Sequence, residues 1–298
     1  MYTSILQTIG NTPLIKINNM IKKEGVEVYG KAEGFNPTGS IKDRIALKMI
    51  EQATSGGFLT AGKTVIEATS GNTGISLAMI GAIKGFKVCI VMSAAVSVER
   101  RKMIEAYGAK VVLTDASLGT DGAIKKVREM CAEQPDKYFC TQQFSNKYNK
   151  LAHYKTTAEE IWQQTDGAVT HLISAVGTSG TIMGVGVGLK EHNPKIKVIE
   201  AQPVKGHYIQ GLKNMQEAIV PQLYNPDLID RHIMIDTEEA FKTARDIVKK
   251  EGIFVGMSSG AAMLAAQKVA ETEKGVFVVI LPDRGEKYLS TPLFAAKD

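Results

Sequence analysis

The sequence predicts an α/β protein made of two doubly wound halves with a cleft between them. Short apolar runs alternate with helical stretches along most of the 298 residues. Most of these runs are continuous in apolar residues, as in Val88, Cys89, Ile90, Val91 and Met92. Strands of a parallel sheet covered on both faces read this way. A polar stretch at 145–150 interrupts the rhythm, leaving one block before and one after about residue 148. In open parallel sheets ligands sit at the carboxyl ends of strands, so function is expected in the loops that follow strands.

In chain order, a turn at Gly10, Asn11, Thr12 and Pro13 precedes a strand at 14–17, and a second strand is expected at 26–32. A helix follows at 42–53. The β-branched run at 64–68 reads as a strand, and the small-residue stretch at 72–83 as a helix. Strands at 87–92 and 110–113 and helices at 98–107 and 122–131 continue the alternation. Past the polar loop come a helix at 152–163, a strand at 171–175, a helix at 181–190 and a strand at 196–201. An irregular stretch occupies 202–230. Helices at 238–250 and 259–270 and a strand at 276–281 complete the pattern.

Composition narrows the function. The chain is 44% apolar and 22% charged, with a net charge of +5, ordinary values for a globular protein. Lysines are dispersed and aromatics make up only 6%, so the basic, aromatic-interleaved surface of a nucleic-acid binder is missing. No apolar run approaches the length of a membrane span. The opening Met1, Tyr2, Thr3, Ser4 and Ile5 lack a basic region followed by an apolar stretch, so no secretory signal is expected. Three cysteines without C-x-x-C spacing fit a reducing cytoplasm, and neither a disulfide framework nor a metal site.

Four loops carry candidate chemistry. Asn36, Pro37, Thr38, Gly39 and Ser40 form a turn in which Ser40 can cap a helix whose first turn holds Lys42. A lysine there sits in the positive field of the helix N-terminus, which lowers its pKa and favours the nucleophilic amine of Schiff-base chemistry. Thr69, Ser70, Gly71, Asn72, Thr73 and Gly74 follow the strand at 64–68 and open a helix, a nest of N–H groups and hydroxyls suited to a carboxylate. Gly177, Thr178, Ser179, Gly180 and Thr181 stand between a strand and a glycine-dotted helix and form a phosphate cradle that needs no lysine. Gly256, Met257, Ser258, Ser259 and Gly260 open another helix, with Ser258 either capping it or facing the cleft. Residues 57–64 match the P-loop pattern letter for letter, but a helix precedes them and a strand follows, the reverse of what a P-loop requires. A reactive lysine, a phosphate cradle and a carboxylate nest together suggest pyridoxal 5′-phosphate acting on an amino acid.

These motifs recur, in order, in one group of proteins. Together with Glu99, Arg100 and Arg101, Gln143 and Phe144, Gly252 and Ile253, and Lys287, Tyr288, Leu289, Ser290 and Thr291, they make the chain resemble the cysteine synthases (O-acetylserine sulfhydrylases). These belong to the β-family, fold type II, of pyridoxal-phosphate enzymes. The resemblance implies a tryptophan synthase β-like fold with the active site in the cleft. It implies a smaller mobile domain at 36–148 and a larger cofactor-anchoring domain made of 1–35 plus 149–298. Lys42 would carry the cofactor as an imine and later move the α-proton. Asn72 would meet the ring hydroxyl, Gly177, Thr178, Ser179, Gly180 and Thr181 the phosphate, and Ser258 the pyridine nitrogen. Thr69, Ser70, Asn72, Thr73 and Gln143 would take the substrate carboxylate. The implied reaction is ping-pong: O-acetyl-L-serine loses acetate to give an aminoacrylate, and sulfide adds to give L-cysteine.

Asp283, Arg284 and Gly285 resemble the B-type isozyme more than the A type. Lys213 lies where B-type and phosphoserine-using relatives carry arginine. It would meet an anion there, either thiosulfate as second acceptor, giving S-sulfocysteine, or the phosphate of O-phosphoserine; otherwise it is a solvated loop lysine. The resemblance also implies a cytoplasmic homodimer, with serine acetyltransferase as a partner to test. A cystathionine β-synthase-type or O-phosphoserine-dependent reaction is the alternative, and a non-catalytic, partner-binding relative the reading from another class.

Overall fold

The structure, a computed structural model, describes residues 1–295. Ten strands form two sheets. In chain order the strands are β1 (Leu14–Ile17), β2 (Val26–Ala32), β3 (Thr64–Ala68), β4 (Lys87–Ser93), β5 (Lys110–Thr114), β6 (Tyr138–Cys140), β7 (His171–Ala175), β8 (Lys197–Pro203), β9 (Arg231–Ile235) and β10 (Gly275–Leu281). The helices are α1 (Lys42–Ser55), α2 (Asn72–Lys84), α3 (Val98–Ala106), α4 (Gly119–Glu133), α5 (Lys147–Lys155), α6 (Thr157–Gln164), α7 (Gly180–His192), α8 (Thr237–Glu251) and α9 (Met257–Ala270).

One sheet has the order β1-β2-β10-β7-β8-β9 and the other β5-β4-β3-β6. The four-stranded sheet is parallel throughout. The six-stranded sheet is parallel except for β1, which pairs antiparallel with β2 at one edge. The inner strands of both sheets are buried on both faces, which explains the continuous apolar runs. Along β10, Phe277, Val279 and Leu281 enter the core shared with α8 and α9. Val278 and Ile280 enter the opposite core with Ile182, Val185 and Leu189 of α7. In the smaller sheet, Val88, Ile90 and Met92 of β4 pack with α1 and α2, while Cys89 and Val91 face α4.

Helix ends follow local chemistry. In α8, Asp236 accepts hydrogen bonds from the N–H groups of Glu238 and Glu239, Lys249 and Lys250 sit in the last turn, and left-handed Gly252 ends it. Residues 57–64 connect the end of α1 to β3, as expected of a link that is not a P-loop.

Three elements depart from expectation. The single helix at 152–163 is two helices, α5 and α6, broken at Thr156 (φ −125°, ψ −68°). The Thr156 hydroxyl donates to Ala152 O and accepts from Arg44 Nη1, so a tertiary contact fixes the break. Strand β6 has only three residues and no sequence period to betray it. Strand β9 is a sheet edge with alternating burial, so it lacks the continuous apolar run of the inner strands.

Candidate active site

A cleft at the carboxyl ends of β3, β7 and β10 gathers residues from both sheets. It holds about 930 Å³ of empty space including its mouth, and Lys42, Thr69, Ser70, Asn72, Thr73, Gln143, Gly177, Thr178, Ser179, Thr181, Lys213 and Ser258 line it. Gly180 lies just behind, as the first residue of α7.

Lys42 is the first residue of α1. The turn before it is tied to the end of β10: Ser40 bridges to Asp283, and Ile41 N donates to Pro282 O at 2.8 Å. Ile41, not Ser40, occupies the cap position, and Ser40 Oγ accepts from Lys42 N at 3.3 Å. The helix start is held by Asp43, whose carboxylate accepts from Thr38 N at 2.8 Å. Among the described residues, Lys42 Nζ has no hydrogen-bond or ion-pair partner. Lys42 is only part-buried because it opens onto the cleft, yet the cleft walls still desolvate it. Burial pulls its pKa down to about 8, against the opposing pull of Asp283 and Glu33.

The loop between β3 and α2 turns through Gly71 (φ 131°). Thr73 Oγ1 donates to Gln143 Oε1 at 2.7 Å, and Gln143 Nε2 donates to Ala68 O at 2.7 Å. Gln143 is thereby locked to the same strand end that carries Thr69 and Ser70. Behind it, buried Glu67 accepts from Gln143 N at 3.0 Å and from the Thr141 hydroxyl. Burial pushes the Glu67 carboxyl up to about 7.

The cradle after β7 is shaped by close backbone approach. A Cβ on Gly177 would strike Gly211 O, and one on Gly180 would strike Asn149 Oδ1. Ser179 holds a left-handed φ of 64°, and its buried hydroxyl has no partner in the protein. Thr178 Oγ1 accepts from Asn149 Nδ2 at 3.1 Å, and Thr181 Oγ1 lies 3.2 Å from His153 Nε2. Burial keeps His153 well below its usual pKa, so the ring is neutral. Gly180, Thr181 and Ile182, the first residues of α7, carry N–H groups that the helix itself leaves without a partner.

The structure brings together the residues singled out from the sequence, and it adds others that the sequence marked only as parts of longer motifs. Asp283 accepts from Asn72 Nδ2 at 2.7 Å and from the Tyr288 hydroxyl at 2.7 Å, with Arg100 Nη2 at 3.4 Å. Arg100 also donates to Ser70 O and Gln210 Oε1 and stacks over Tyr288 at 4.4 Å. Lys287 Nζ donates to Gly39 O at 2.9 Å, and burial lowers its pKa to about 8. No spacing rule could have linked Asp283 to Asn72 or Arg100 to Gln210, because these partners come from distant parts of the chain. Lys213 is neither solvated nor free: its ammonium bonds Asp121 Oδ1 at 2.8 Å and lies 5.1 Å from the Phe144 ring centroid.

This donor set fits pyridoxal 5′-phosphate. An unpaired amine suits its aldehyde, and the unpartnered Ser179 hydroxyl and the α7 N-terminus suit its phosphate. The buried, unpartnered Asn72 Oδ1 adds a polar atom on the cleft wall. No group of acidic, histidine or cysteine side chains among the described residues is arranged to hold a metal ion.

Comparison with known proteins agrees. Residues 5–283 match the family of pyridoxal-phosphate dependent enzymes. A cysteine synthase of Aquifex aeolicus is 48% identical, over 99% of this chain and 93% of its own. Cysteine synthase B of Escherichia coli is 43% identical, over 98% of this chain and 96% of its own. The crystal structure of a cysteine synthase from Entamoeba histolytica superposes with a TM-score of 0.90 at 43% identity, covering 100% of this chain and 92% of that one. The chain therefore belongs to the pyridoxal-phosphate dependent enzymes of fold type II, among the cysteine synthases, and its cofactor is pyridoxal 5′-phosphate.

Proposed function

We propose that this enzyme replaces the β-acetoxy group of O-acetyl-L-serine with sulfide, giving L-cysteine and acetate. The observation that carries the reading is an unpaired, desolvated Lys42 amine at the meeting point of a phosphate cradle and a carboxylate nest. The bound cofactor supplies a ring that withdraws electrons from the substrate α-carbon, making its proton acidic and a β-substituent expellable.

The chain's own residues do the rest. Lys42 would hold the cofactor aldehyde, and its Nζ would be the base that takes up the substrate α-proton. Gly177, Thr178, Ser179, Gly180 and Thr181 bind the phosphate. Thr69, Ser70, Asn72, Thr73 and Gln143 bind the substrate carboxylate, and Asn72 also serves the ring hydroxyl. Ser258, in the first turn of α9, would offer a neutral hydroxyl to the ring nitrogen, which would keep electron withdrawal moderate and suit a reaction whose leaving group departs at once. Closure of the cleft excludes water. Residues 36–148 form the smaller, moving domain in this reading, and 1–35 with 149–298 the anchoring one; the separation of the two sheets supports the division.

The resemblance of Asp283, Arg284 and Gly285 and the 43% identity to a cysteine synthase B support the B type, with thiosulfate as a second acceptor giving S-sulfocysteine. A cytoplasmic homodimer belongs to the same reading, and light scattering tests the dimer. No helix among the described residues is long and apolar enough to cross a membrane.

The test is a visible-absorbance titration of the purified holoenzyme with O-acetylserine, O-phosphoserine and serine, followed by sulfide, thiosulfate or homocysteine. O-Acetylserine should change the spectrum and sulfide restore it with release of cysteine. A response only to O-phosphoserine, or turnover only with homocysteine, would replace this assignment. Lys42→Ala should abolish turnover, and an active variant would contradict the role of Lys42.

A further inference from the structure

Cys131 lies near the end of α4, Cys140 ends β6, and helix and strand pack directly on each other. Both cysteines line one cavity of about 1020 Å³ of empty space, together with Glu67, Arg128, Gln142 and Phe144. Both side chains also pack against the same apolar cluster with Ile66, Val91 and Val127, and each thiol shifts the other's pKa, so the two side chains are neighbours. The third cysteine, Cys89, is buried in the middle of β4 and has no such partner. The reaction proposed above uses neither thiol. All three cysteines are free.

We propose that Cys131 and Cys140 form a dithiol modification site, at which a hydroperoxide entering this cavity oxidises the pair to an intramolecular disulfide. The two thiols are unequal. The neighbouring Cys140 pulls the Cys131 thiol pKa down, while the neighbouring Cys131 and burial push Cys140 up. Cys131 is therefore the attacking sulfur. Its thiolate takes the nearer peroxide oxygen and the O–O bond breaks. The departing oxygen leaves as water or an alcohol with the proton that Cys131 gave up. The Cys140 sulfur then attacks the Cys131 sulfur. The S–O bond breaks, and hydroxide leaves with the Cys140 proton as a second water. Two thiols supply two electrons and one peroxide consumes them.

The site is coupled to the cleft through the backbone. Cys140 precedes Thr141, Gln142 and Gln143. Glu67, which also lines the cavity, accepts hydrogen bonds from Thr141 and from Gln143 N. Gln142 already holds a left-handed φ of 53°. Drawing the two sulfurs to the bonded separation of about 2.05 Å shifts this segment, and Gln143 with it. This consequence rests on the carboxylate-binding role proposed for Gln143. The covalent change does not.

The experiment treats the holoenzyme with hydrogen peroxide and maps its tryptic peptides without reduction. Cleavage after Arg128, Lys137 and Lys147 separates the two cysteines. The proposal expects peptides 129–137 and 138–147 joined by a disulfide, separated again by dithiothreitol. Cys131→Ser and Cys140→Ser should each abolish the joined species, and Cys89→Ser should leave it. Oxygen added to Cys131 with Cys140 still a free thiol, or a disulfide between two chains, overturns it. In the oxidised wild type the KM for the amino-acid substrate should rise roughly tenfold, with kcat changing less. A disulfide without that rise would disprove the coupling through Gln143 and leave the modification site intact.

Discussion

Lys42 Nζ is a nucleophile only as the free amine, and a lysine in water keeps its proton until about pH 10.4. Burial in the cleft wall brings that point to about 8. Covalent capture of the cofactor by the apoprotein should therefore speed up about tenfold from pH 7 to 9 and then level off. Stopped-flow absorbance on mixing apoprotein with pyridoxal phosphate measures this, and a rate still climbing steeply above pH 9 would show an ordinary lysine. Glu67 makes a second residue-scale case. Its folded pKa, about 7, lies above the unfolded value of 4.5, so the folded state binds the extra proton between these limits. Its favourable contribution is full below pH 4.5 and lost as pH rises through about 7. Glu67→Gln keeps the shape without the charge. It should gain on the wild type by up to about 3 kcal/mol between pH 5 and 8. Denaturant midpoints at the two pH values decide, and a gap that stays constant would mean Glu67 does not titrate there. Lys42 was legible in the sequence because a turn and a helix start announce it. Glu67 was not, since it reads as one polar residue in an apolar strand and its partners Thr141 and Gln143 lie more than 70 positions away.

At the scale of elements, α1 carries Lys42 on one end and a buried ion cluster two residues further in. Arg44 pairs with Glu33 at 2.7 Å and with Glu160 of α6 at 2.6 Å, and Lys31 of β2 joins Glu160 at 2.6 Å. Thr12, in the turn before β1, accepts from Arg44 Nη2 at 3.1 Å. This cluster ties the helix that positions Lys42 to the six-stranded sheet and its helices. Arg44→Ala leaves Glu33, wholly buried, without its main counter-charge, and should cost about 3–5 kcal/mol of stability in urea unfolding. Arg44→Lys should recover only part of this, because an ammonium cannot reproduce the two-pronged contact. If Arg44→Ala unfolds at the wild-type midpoint, the cluster contributes nothing. Most elements were legible because each inner strand is buried on both faces and each functional loop joins an apolar run to a helix. The break at Thr156 was not, because Arg44 imposes it from another part of the chain. Strand β9 was hidden by its edge position.

At the scale of the molecule, side chains cross between the two halves around the cleft as well as through the Arg44 cluster. Arg100 reaches Gln210 at 2.9 Å, Ser97 donates to Lys287 O at 2.7 Å, and Ser290 N donates to Glu99 at 2.8 Å. On α4, Asp121 receives both Lys213 Nζ at 2.8 Å and Ile219 N at 3.2 Å, pinning the irregular 202–230 stretch against the smaller sheet's helices. The sequence singled out Lys213 but not Asp121, because a partner 92 positions away leaves no local pattern. The pairing changes what Lys213 can do: its charge is largely cancelled before an anion arrives. Asp121→Asn removes the counter-charge, so Lys213 should then attract a dianion more than a monoanion. The ratio of kcat/KM for thiosulfate to that for sulfide should rise by up to about fivefold, the equivalent of about 1 kcal/mol. Lys213→Met should lower the same ratio. Amide hydrogen exchange at 211–220 should quicken in Asp121→Asn, because the variant weakens the tie that holds this stretch down. If the ratio stays unchanged in both variants while exchange quickens, Asp121 serves as a mechanical tie and Lys213 has no part in choosing the acceptor.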